Sequence, residues 1–153
     1  MPHVHEKIDF TSEVFIVHKN KVLLRKHDKY NLWLGVGGHI ELDEDPVQAA
    51  IREVKEEVGL DVKIYTSNPE ILSKKEGYLE LIPPEFLNRH RINTTHEHIT
   101  FVYFAISKTE ELNLSETEKS ESCKWFNFEE LNSDEISDDV RMYAKAALKK
   151  AGS

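Results

Sequence analysis

The 153-residue sequence has a single cysteine, Cys123. One cysteine excludes an internal disulfide bond and a cluster of thiolate metal ligands. Cys123 lies in the segment ESCKWFNF, whose composition favours a strand, so we predict a structural rather than a catalytic role for its thiol.

Long hydrophobic runs are also missing. The longest apolar stretches are only strand-sized, and the first ten residues, MPHVHEKIDF, lack the apolar core of a signal peptide. We therefore predict a cytoplasmic protein that makes no membrane contact.

Basic residues are outnumbered by acidic ones, 20 against 28, which gives a formal net charge of −8. This charge argues against a stable complex with nucleic acid, although a local basic patch could still hold a small phosphorylated ligand. An acidic chain is better suited to a site that depends on a cation.

The length and composition are typical of one soluble globular domain. Hydrophobic residues make up 39% of the chain and charged residues 31%, and 153 residues are enough to bury a substantial core. No repeat, low-complexity tract or linker divides the sequence, so we predict a single domain over residues 1–153. The absence of a coiled-coil seam leaves the oligomeric state open.

Hydrophobic periodicity and turn residues predict the order of the elements. The prediction comprises a hairpin of strands 13–18 and 22–26, a loop at 29–38, a helix at 46–58, short strands at 61–66, 71–73 and 77–84, a long loop at 85–98, a strand at 99–107, a loop at 108–122, a strand at 123–128 and a helix at 138–150.

The first predicted helix has clear boundary signals. Asp45 suits the N-cap, Pro46 suits the first helical position, Gln48 completes a capping box and Gly59 suits the stop. The residues expected to face the core are Val47, Ala50, Ile51, Val54 and Val58. Ala49 and the three glutamates of the helix are expected on a different face.

Those glutamates, Glu53, Glu56 and Glu57, follow an i, i+3, i+4 spacing. Like charges at this spacing destabilise a helix by about 0.2–0.5 kcal/mol per pair. Binding of Mg²⁺ or Mn²⁺, which prefer oxygen ligands, would offset the repulsion. A solvated acidic face remains the alternative when spacing alone is considered.

Calcium and zinc sites fit the sequence less well. The DEDP segment lacks the alternating ligands and central glycine of an EF-hand. His96 and His98 could face one side of a strand and bind Zn²⁺. Since no third ligand is evident in the sequence, a polar loop or a substrate contact is the favoured interpretation of these histidines.

The spacing of the whole segment carries more information than the helix alone. Gly38 is followed after five residues by Glu44, and after seven more by the run REVKEEVGL from Arg52 to Leu60. This pattern resembles the Nudix box at every defined position. The resemblance implies an α/β fold, a Nudix-type α/β/α sandwich with a mixed central sheet.

The resemblance also implies an activity, hydrolysis of a nucleoside diphosphate linked to another moiety, with Mg²⁺ as cofactor and Mn²⁺ as a possible substitute. The implied metal ligands are Glu53, Glu56, Glu57 and the carbonyl of Gly37, joined in some family members by an acid from a late loop, here Glu118 or Glu121. Glu53 is the favoured general base.

Two box residues are expected to support the site. The Arg52 guanidinium can hold a neighbouring carboxylate in place, although an exposed ion pair with Glu56 explains it about as well. Glu44 lies at the helix entry, where a carboxylate can accept from free backbone N–H groups, so we predict a structural role for it.

Candidate substrate contacts come from outside the box. Arg25 and Lys26 end the second strand, and Arg89, His90 and Arg91 interrupt the predicted long loop, so each could bind phosphate. Tyr30 and Phe86 could stack on a base, whereas Trp33 is expected in the core.

The substrate class is less well determined. The resemblance places ADP-ribose slightly behind modified nucleoside triphosphates and dinucleoside polyphosphates, because no proline lies between Pro69 and Pro83 and Tyr78 lies in this region. The small-molecule partner is therefore a nucleotide. Two alternatives remain, a non-catalytic Nudix-fold binding or sensor module and an enzyme acting on a non-nucleotide diphosphate.

Overall fold

A computed structural model describes residues 7–27, 31–71, 73–114 and 122–153. Within these ranges the strands are β1 (Ile8–His18), β2 (Lys21–His27), β3 (Leu32–Leu34), β4 (Val36–His39), β5 (Val62–Ile64), β6 (Lys74–Lys75), β7 (Tyr78–Leu79), β8 (Phe86–Asn93), β9 (His96–Ser107) and β10 (Ser122–Phe126). The helices are α1 (Pro46–Val58) and α2 (Asp138–Ala151), with short 3₁₀ turns at Pro69–Ile71 and Glu130–Asn132.

The main sheet is mixed. Its strands run in the order β10-β2-β1-β9-β5, with β1 and β9 parallel and the remaining pairs antiparallel. β2 pairs with the end of β1, whereas β4 pairs with an earlier part of β1. Since β3 pairs with β2, the chain crosses from β2 to β1 as it passes from β3 to β4. β8 pairs with the beginning of β9, and β6 and β7 form a separate hairpin.

One helix covers each face of this sheet. Since successive strand residues point to opposite faces, Val14 and Ile16 of β1 pack with Val54 of α1. Phe15 of the same strand packs with Ala144 of α2. The result is the α/β/α sandwich that the sequence predicted.

The boundaries of α1 agree with the prediction. The Asp45 side chain accepts from the backbone N–H of Gln48 at 2.8 Å, and the Gln48 side chain accepts from the backbone N–H of Asp45 at 3.0 Å. At the other end Gly59 has a positive φ of 72°, and its N–H donates to the Lys55 carbonyl at 3.1 Å. Both ends are closed by residues within the segment, so local sequence was sufficient to locate them.

The buried face of α1 differs from the predicted stripe at three positions. Ile51 is 43% exposed, whereas Ala49, expected among the acids, is completely buried. Glu57 is only 7% exposed, so it does not lie outside the core with the other acids. The sheet contacts a broader sector of the helix than the apolar residues alone indicate, and this sector includes one carboxylate.

Two predicted loops are wrong in part. Residues 31–38, expected to be loop, contain β3 and most of β4. Residues 85–98, expected to be a long loop, form β8 and the start of β9. These short or edge strands carry glycine, arginine and histidine at many positions, so they lack the apolar alternation that identifies a strand in a sequence.

Smaller differences concern strand lengths. β1 begins at Ile8 rather than at residue 13, and the predicted strand at 77–84 is reduced to Tyr78–Leu79. Of the predicted strand at 71–73, Ile71 instead ends the 3₁₀ turn, and residue 72 lies outside the described ranges. Trp33 is 8% exposed and belongs to the core on the α2 side, as predicted. Cys123 lies half-buried in β10 against the α1-side core.

Candidate active site

Arg52 is the centre of the polar network at the α1 surface. Its Nη1 donates to Glu53 Oε1 at 2.9 Å and to Glu56 Oε2 at 3.2 Å. A single guanidinium therefore holds two of the three helix carboxylates side by side. The ion pair with Glu56 that the sequence left as an alternative is present, but as one branch of a wider network.

Glu44 anchors this guanidinium from the loop before α1. Arg52 Nε donates to Glu44 Oε2 at 2.7 Å and Nη2 donates to Glu44 Oε1 at 2.9 Å. This two-point contact lowers the pKa of the Glu44 carboxyl, and the same contact raises the pKa of Arg52. Glu44 also accepts from the Glu41 backbone N–H at 3.0 Å, so it orders the loop as well as the arginine.

The backbone of β4 lies close to Glu53. A Cβ atom at Gly38 would lie 2.5 Å from Glu53 Oε1, and one at Gly37 would lie 2.0 Å from the Ser12 carbonyl oxygen. The absence of both side chains lets β4 pack on β1 and lets the Glu53 carboxylate rest against the strand. A third hydrogen bond, from Arg52 Nη2 to the His39 carbonyl at 3.0 Å, ties the helix to the same strand.

The remaining two glutamates differ in exposure. The Glu56 side chain is 60% exposed, whereas the buried Glu57 forms an ion pair with Arg25 of β2, with Nη1 and Oε2 3.1 Å apart. Arg25 thereby compensates a carboxylate charge that would be costly to bury alone. The structure thus brings Arg25, a predicted phosphate contact, together with a predicted metal ligand.

The other predicted substrate contacts lie elsewhere or outside the described residues. Arg89 is exposed on β8 and binds the Glu97 carboxylate through two hydrogen bonds of 3.0 Å, and Arg91 is exposed two residues further along. Phe86 packs against Phe104 and Tyr143 in the core. Tyr30, Glu118 and Glu121 fall outside the described ranges.

Glu13 is a candidate functional residue that sequence reasoning missed. It lies on β1 beside Gly35, where a Cβ atom would come within 2.8 Å of the Glu13 Cγ. Burial raises the pKa of its carboxyl to about 7, against the opposing effect of a backbone hydrogen bond at Gly35. A carboxyl that titrates near neutral pH suits proton transfer or recognition of a polar ligand. The signal in the sequence was an acid at the first position of the predicted strand 13–18, which the structure extends back to Ile8.

Comparison with known proteins identifies the family. The NUDIX domain model matches residues 8–146, so the chain belongs to the Nudix family. A crystal structure of a NUDIX-family hydrolase from Clostridium perfringens superimposes with a TM-score of 0.81 at 36% identity, covering 92% of this chain and 96% of that one. The protein is accordingly a hydrolase that acts on phosphoric anhydride bonds.

Curated relatives match this chain at lower identity or over less of its length. The chain is 28% identical over 135 residues to the dihydroneopterin triphosphate diphosphatase of Haemophilus influenzae, covering 75% of this chain and 84% of that protein. It is 36% identical over 84 residues to the m7GpppN-mRNA hydrolase NUDT17 of Danio rerio, covering 52% of this chain. The chain matches only 25% of that longer relative.

Membrane insertion through a helix has no support among the described residues, since neither α1 nor α2 has the length and apolar character to cross a bilayer.

Proposed function

We propose that this protein hydrolyses a nucleoside diphosphate linked to another moiety, with Mg²⁺ as its cation and Mn²⁺ as a possible substitute. The observation that carries the proposal is the Arg52 network, in which one guanidinium orients the carboxylates of Glu53 and Glu56 and is itself held by Glu44. Such a network fixes the direction of ligand oxygens before an ion binds.

The donor set fits a hard divalent cation, the class of ion that Nudix enzymes generally use. The side chains of Glu53, Glu56 and Glu57 offer oxygen ligands only, which is the preference of Mg²⁺. The close approach of Gly38 leaves the Glu53 carboxylate lying against β4, the strand that carries the Gly37 carbonyl. We assign the binding of the ion to the three glutamates of α1 and the Gly37 carbonyl, and Glu118 is a further proposed ligand. When bound, the ion would neutralise the diphosphate and lower the pKa of the attacking water.

Glu53 is the proposed general base. Arg52 and Gly38 restrict its carboxylate to one position, so its free oxygen lone pairs can accept the proton of a water molecule held beside the diphosphate. Because the carboxylate is already held in place, little conformational entropy is lost when it takes up the geometry needed for reaction.

Arg25 is the proposed phosphate contact closest to the carboxylates. Its ion pair with Glu57 places a buried positive charge at the site, and a diphosphate would offer it a second anionic partner. Arg89 and Arg91 project from β8 on the face of the sheet that carries α1, according to the β8–β9 register. We propose that these arginines and Tyr30 contact more distant parts of the substrate.

A compound with a triphosphate or polyphosphate chain is the favoured substrate, ahead of ADP-ribose. The named activity of the Haemophilus relative, on dihydroneopterin triphosphate, concerns a triphosphate, and the match covers 84% of that relative. The sequence preference for modified nucleoside triphosphates and dinucleoside polyphosphates agrees with it. A non-nucleotide diphosphate is the second candidate, and the cytoplasmic location stays a prediction.

A hydrolysis panel with product analysis tests this function. The panel comprises nucleoside triphosphates and their oxidised forms, dihydroneopterin triphosphate, dinucleoside polyphosphates, capped RNA and ADP-ribose, each with Mg²⁺, Mn²⁺ or EDTA. We expect cleavage only with a metal, and release of a nucleoside monophosphate from nucleotide substrates. Cleavage that continues unchanged in EDTA would overturn the metal-dependent mechanism.

Variants of the helix carboxylates complete the test. Glu56→Gln and Glu57→Gln should each lower kcat/KM by about 100-fold or more, because each removes a charged ligand. The exposed Glu56 variant should keep the stability of the wild type, whereas the Glu57 variant, which loses the largely buried ion pair with Arg25, should be less stable but still folded. Glu70→Gln is the matched control, since Glu70 is an exposed glutamate in the Pro69–Ile71 turn. Normal turnover by both helix variants would remove these carboxylates from the proposed site.

A further inference from the structure

A cluster of histidines surrounds one buried carboxylate on the sheet face opposite α1. Asp9 of β1 is opposite His98 of β9, and His98 is opposite His90 of β8. His39 of β4 is opposite Thr11, two residues along β1 from Asp9. Since residues two apart on a strand share a face, all these side chains lie on the α2 side of the sheet, with Phe15 further along β1.

The distances in this cluster are short. His39 Nε2 lies 3.6 Å from Asp9 Oδ2, and the rings of His39 and His98 are 5.0 Å apart between centroids. One ligand atom each from Asp9, His39 and His98 lies within 4.8 Å of the others. An ion about 2.0–2.2 Å from each donor requires donor atoms roughly 3–3.5 Å apart, so a modest contraction of the cluster would bring the three donors to coordinating distance and leave a fourth position for water.

Asp9 is held in position by a further histidine. His96 Nε2 lies 3.1 Å from Asp9 Oδ2, and the two residues are 6% and 2% exposed. A buried carboxylate fixed by an imidazole is the arrangement that orients ligands around a bound metal. We therefore assign His96 the role of positioning Asp9 and do not count it as a metal ligand.

The donor types indicate which ion would bind. Two imidazoles and one carboxylate suit Zn²⁺ and other first-row transition ions, whereas Mg²⁺ prefers oxygen donors alone. We propose that Asp9, His39 and His98 form a second metal site, selective for Zn²⁺ or a related transition ion and separate from the carboxylates of α1.

β4 separates the two sites. Gly38 meets the Glu53 carboxylate on one face of the strand, and the next residue, His39, directs its ring to the other face, toward Asp9. The backbone of His39 nevertheless accepts from Arg52. A metal held by His39 would thus join β1, β4 and β9 and would brace the strand against which Glu53 rests, whatever substrate the enzyme hydrolyses.

Zinc binding by the untagged full-length protein tests this proposal. After removal of metals with EDTA and desalting, Zn²⁺ is titrated in excess Mg²⁺ against a chromophoric chelator. We expect one equivalent of zinc per chain that Mg²⁺ does not displace. Asp9→Asn, His39→Gln and His98→Gln should each weaken zinc binding by about tenfold or more, whereas His18→Gln, a histidine variant at the far end of β1, should not.

The carboxylates of α1 are tested in the same titration. The double variant Glu56→Gln, Glu57→Gln should retain the zinc equivalent although it loses hydrolysis. Loss of zinc in this double variant, with retention in His39→Gln and His98→Gln, would overturn the proposal and assign the ion to α1. Absence of tight zinc binding by the wild-type protein would overturn it as well.

A measurement on the wild-type protein avoids any variant that fails to fold. Histidine-ring ¹H–¹⁵N NMR spectra recorded during the zinc titration report which imidazoles bind the ion. We expect the ring nitrogens of His39 and His98 to change together at one equivalent while those of His18 stay constant. Unchanged rings in the cluster would contradict the proposed site.

Discussion

At the residue scale, Arg52 shows how one side chain sets the geometry of several others. Its guanidinium makes hydrogen bonds with three carboxylates, those of Glu44, Glu53 and Glu56, and with the backbone carbonyl of His39. Only a planar group with five donors can make all these contacts at once. The shape of the residue is therefore as necessary to this network as its charge.

Arg52→Lys separates these two properties, since it retains the charge and removes the fork of donors. We expect kcat to fall by about 10–100-fold and more Mg²⁺ to be needed for half-maximal activity, because the ligands lose their orientation. Steady-state kinetics over a range of Mg²⁺ concentrations measure both effects. Lys55→Arg, an exposed change on the same helix, should behave like the wild type, and equal activity of both variants would contradict the orienting role.

Glu13 is the residue whose titration should affect stability near neutral pH. Burial raises the pKa of its carboxyl from the ordinary 4.5 to about 7, so the folded state binds its proton more tightly than the unfolded state. Stability from this residue is therefore complete below about pH 4.5 and is lost as the pH rises through 7.

Glu13→Gln should remove this pH dependence. We expect the free energy of unfolding of the variant, relative to wild type, to increase by about 1–3 kcal/mol between pH 5 and pH 8. Urea denaturation at several pH values measures the difference. Glu70→Gln provides the reference, and an identical profile for Glu13→Gln and wild type would show that the Glu13 carboxyl does not titrate in this range.

At the element scale, the contact between β4 and α1 builds the site. α1 is delimited by its own caps, Asp45 and Gly59, but the position of Glu53 depends on a strand that has no side chain at Gly38. The helix supplies the carboxylates and the strand supplies the surface against which one of them rests. Residues 31–38 were predicted as loop, so the strand was not visible in the sequence, although the family resemblance had grouped the Gly37 carbonyl with Glu53 as ligands.

Gly38→Ala should displace Glu53 while leaving both elements intact. The new Cβ would lie 2.5 Å from Glu53 Oε1, so the carboxylate must move, and we expect kcat to fall by about 10–100-fold with a small change in melting temperature. Gly77→Ala is the matched control. Gly77 lies in the β6–β7 turn with a positive φ of 77°, so an alanine there should cost about 1 kcal/mol of stability without touching the site. Full activity of Gly38→Ala would mean that Glu53 has room to adjust without loss.

At the scale of the whole molecule, β1 and β9 connect the two layers of core. They pair in parallel from Ile8 with Glu97 to Val17 with Ile106. Their alternate residues contribute to the clusters under α1 and under α2. The pairing also places Asp9 beside His98, so the candidate zinc site depends on the same register as the core.

Phe104→Ala tests this central role. Phe104 is fully buried between Phe86 and the α2-side core, and its truncation should lower the free energy of unfolding by about 3–5 kcal/mol. Met142→Ala, a change on the exposed side of α2, should cost much less. Equilibrium urea unfolding compares the two, and similar costs would place Phe104 outside the cooperative core.

Elements and groups whose partners lie nearby in the chain could be predicted from the sequence alone. The caps of α1, the spacing of its glutamates and the Nudix box all fall within Gly38–Leu60, so local rules and one resemblance identified the family, the fold and the candidate carboxylates. Capping and side-chain spacing act over only a few residues, and all the residues that they require lie within this segment.

Contacts between strands that are far apart in the sequence arise only in the folded protein. Glu57 is buried because β2 brings Arg25 to it, and Asp9 gains His39, His96 and His98 as neighbours through residues about 30–90 positions away in the chain. No period or motif records such contacts, because the register of the sheet is set by packing of the complete core. His96 and His98 were possible zinc ligands in the sequence, but no third donor was evident. The fold brings Asp9 of β1 and His39 of β4 beside His98.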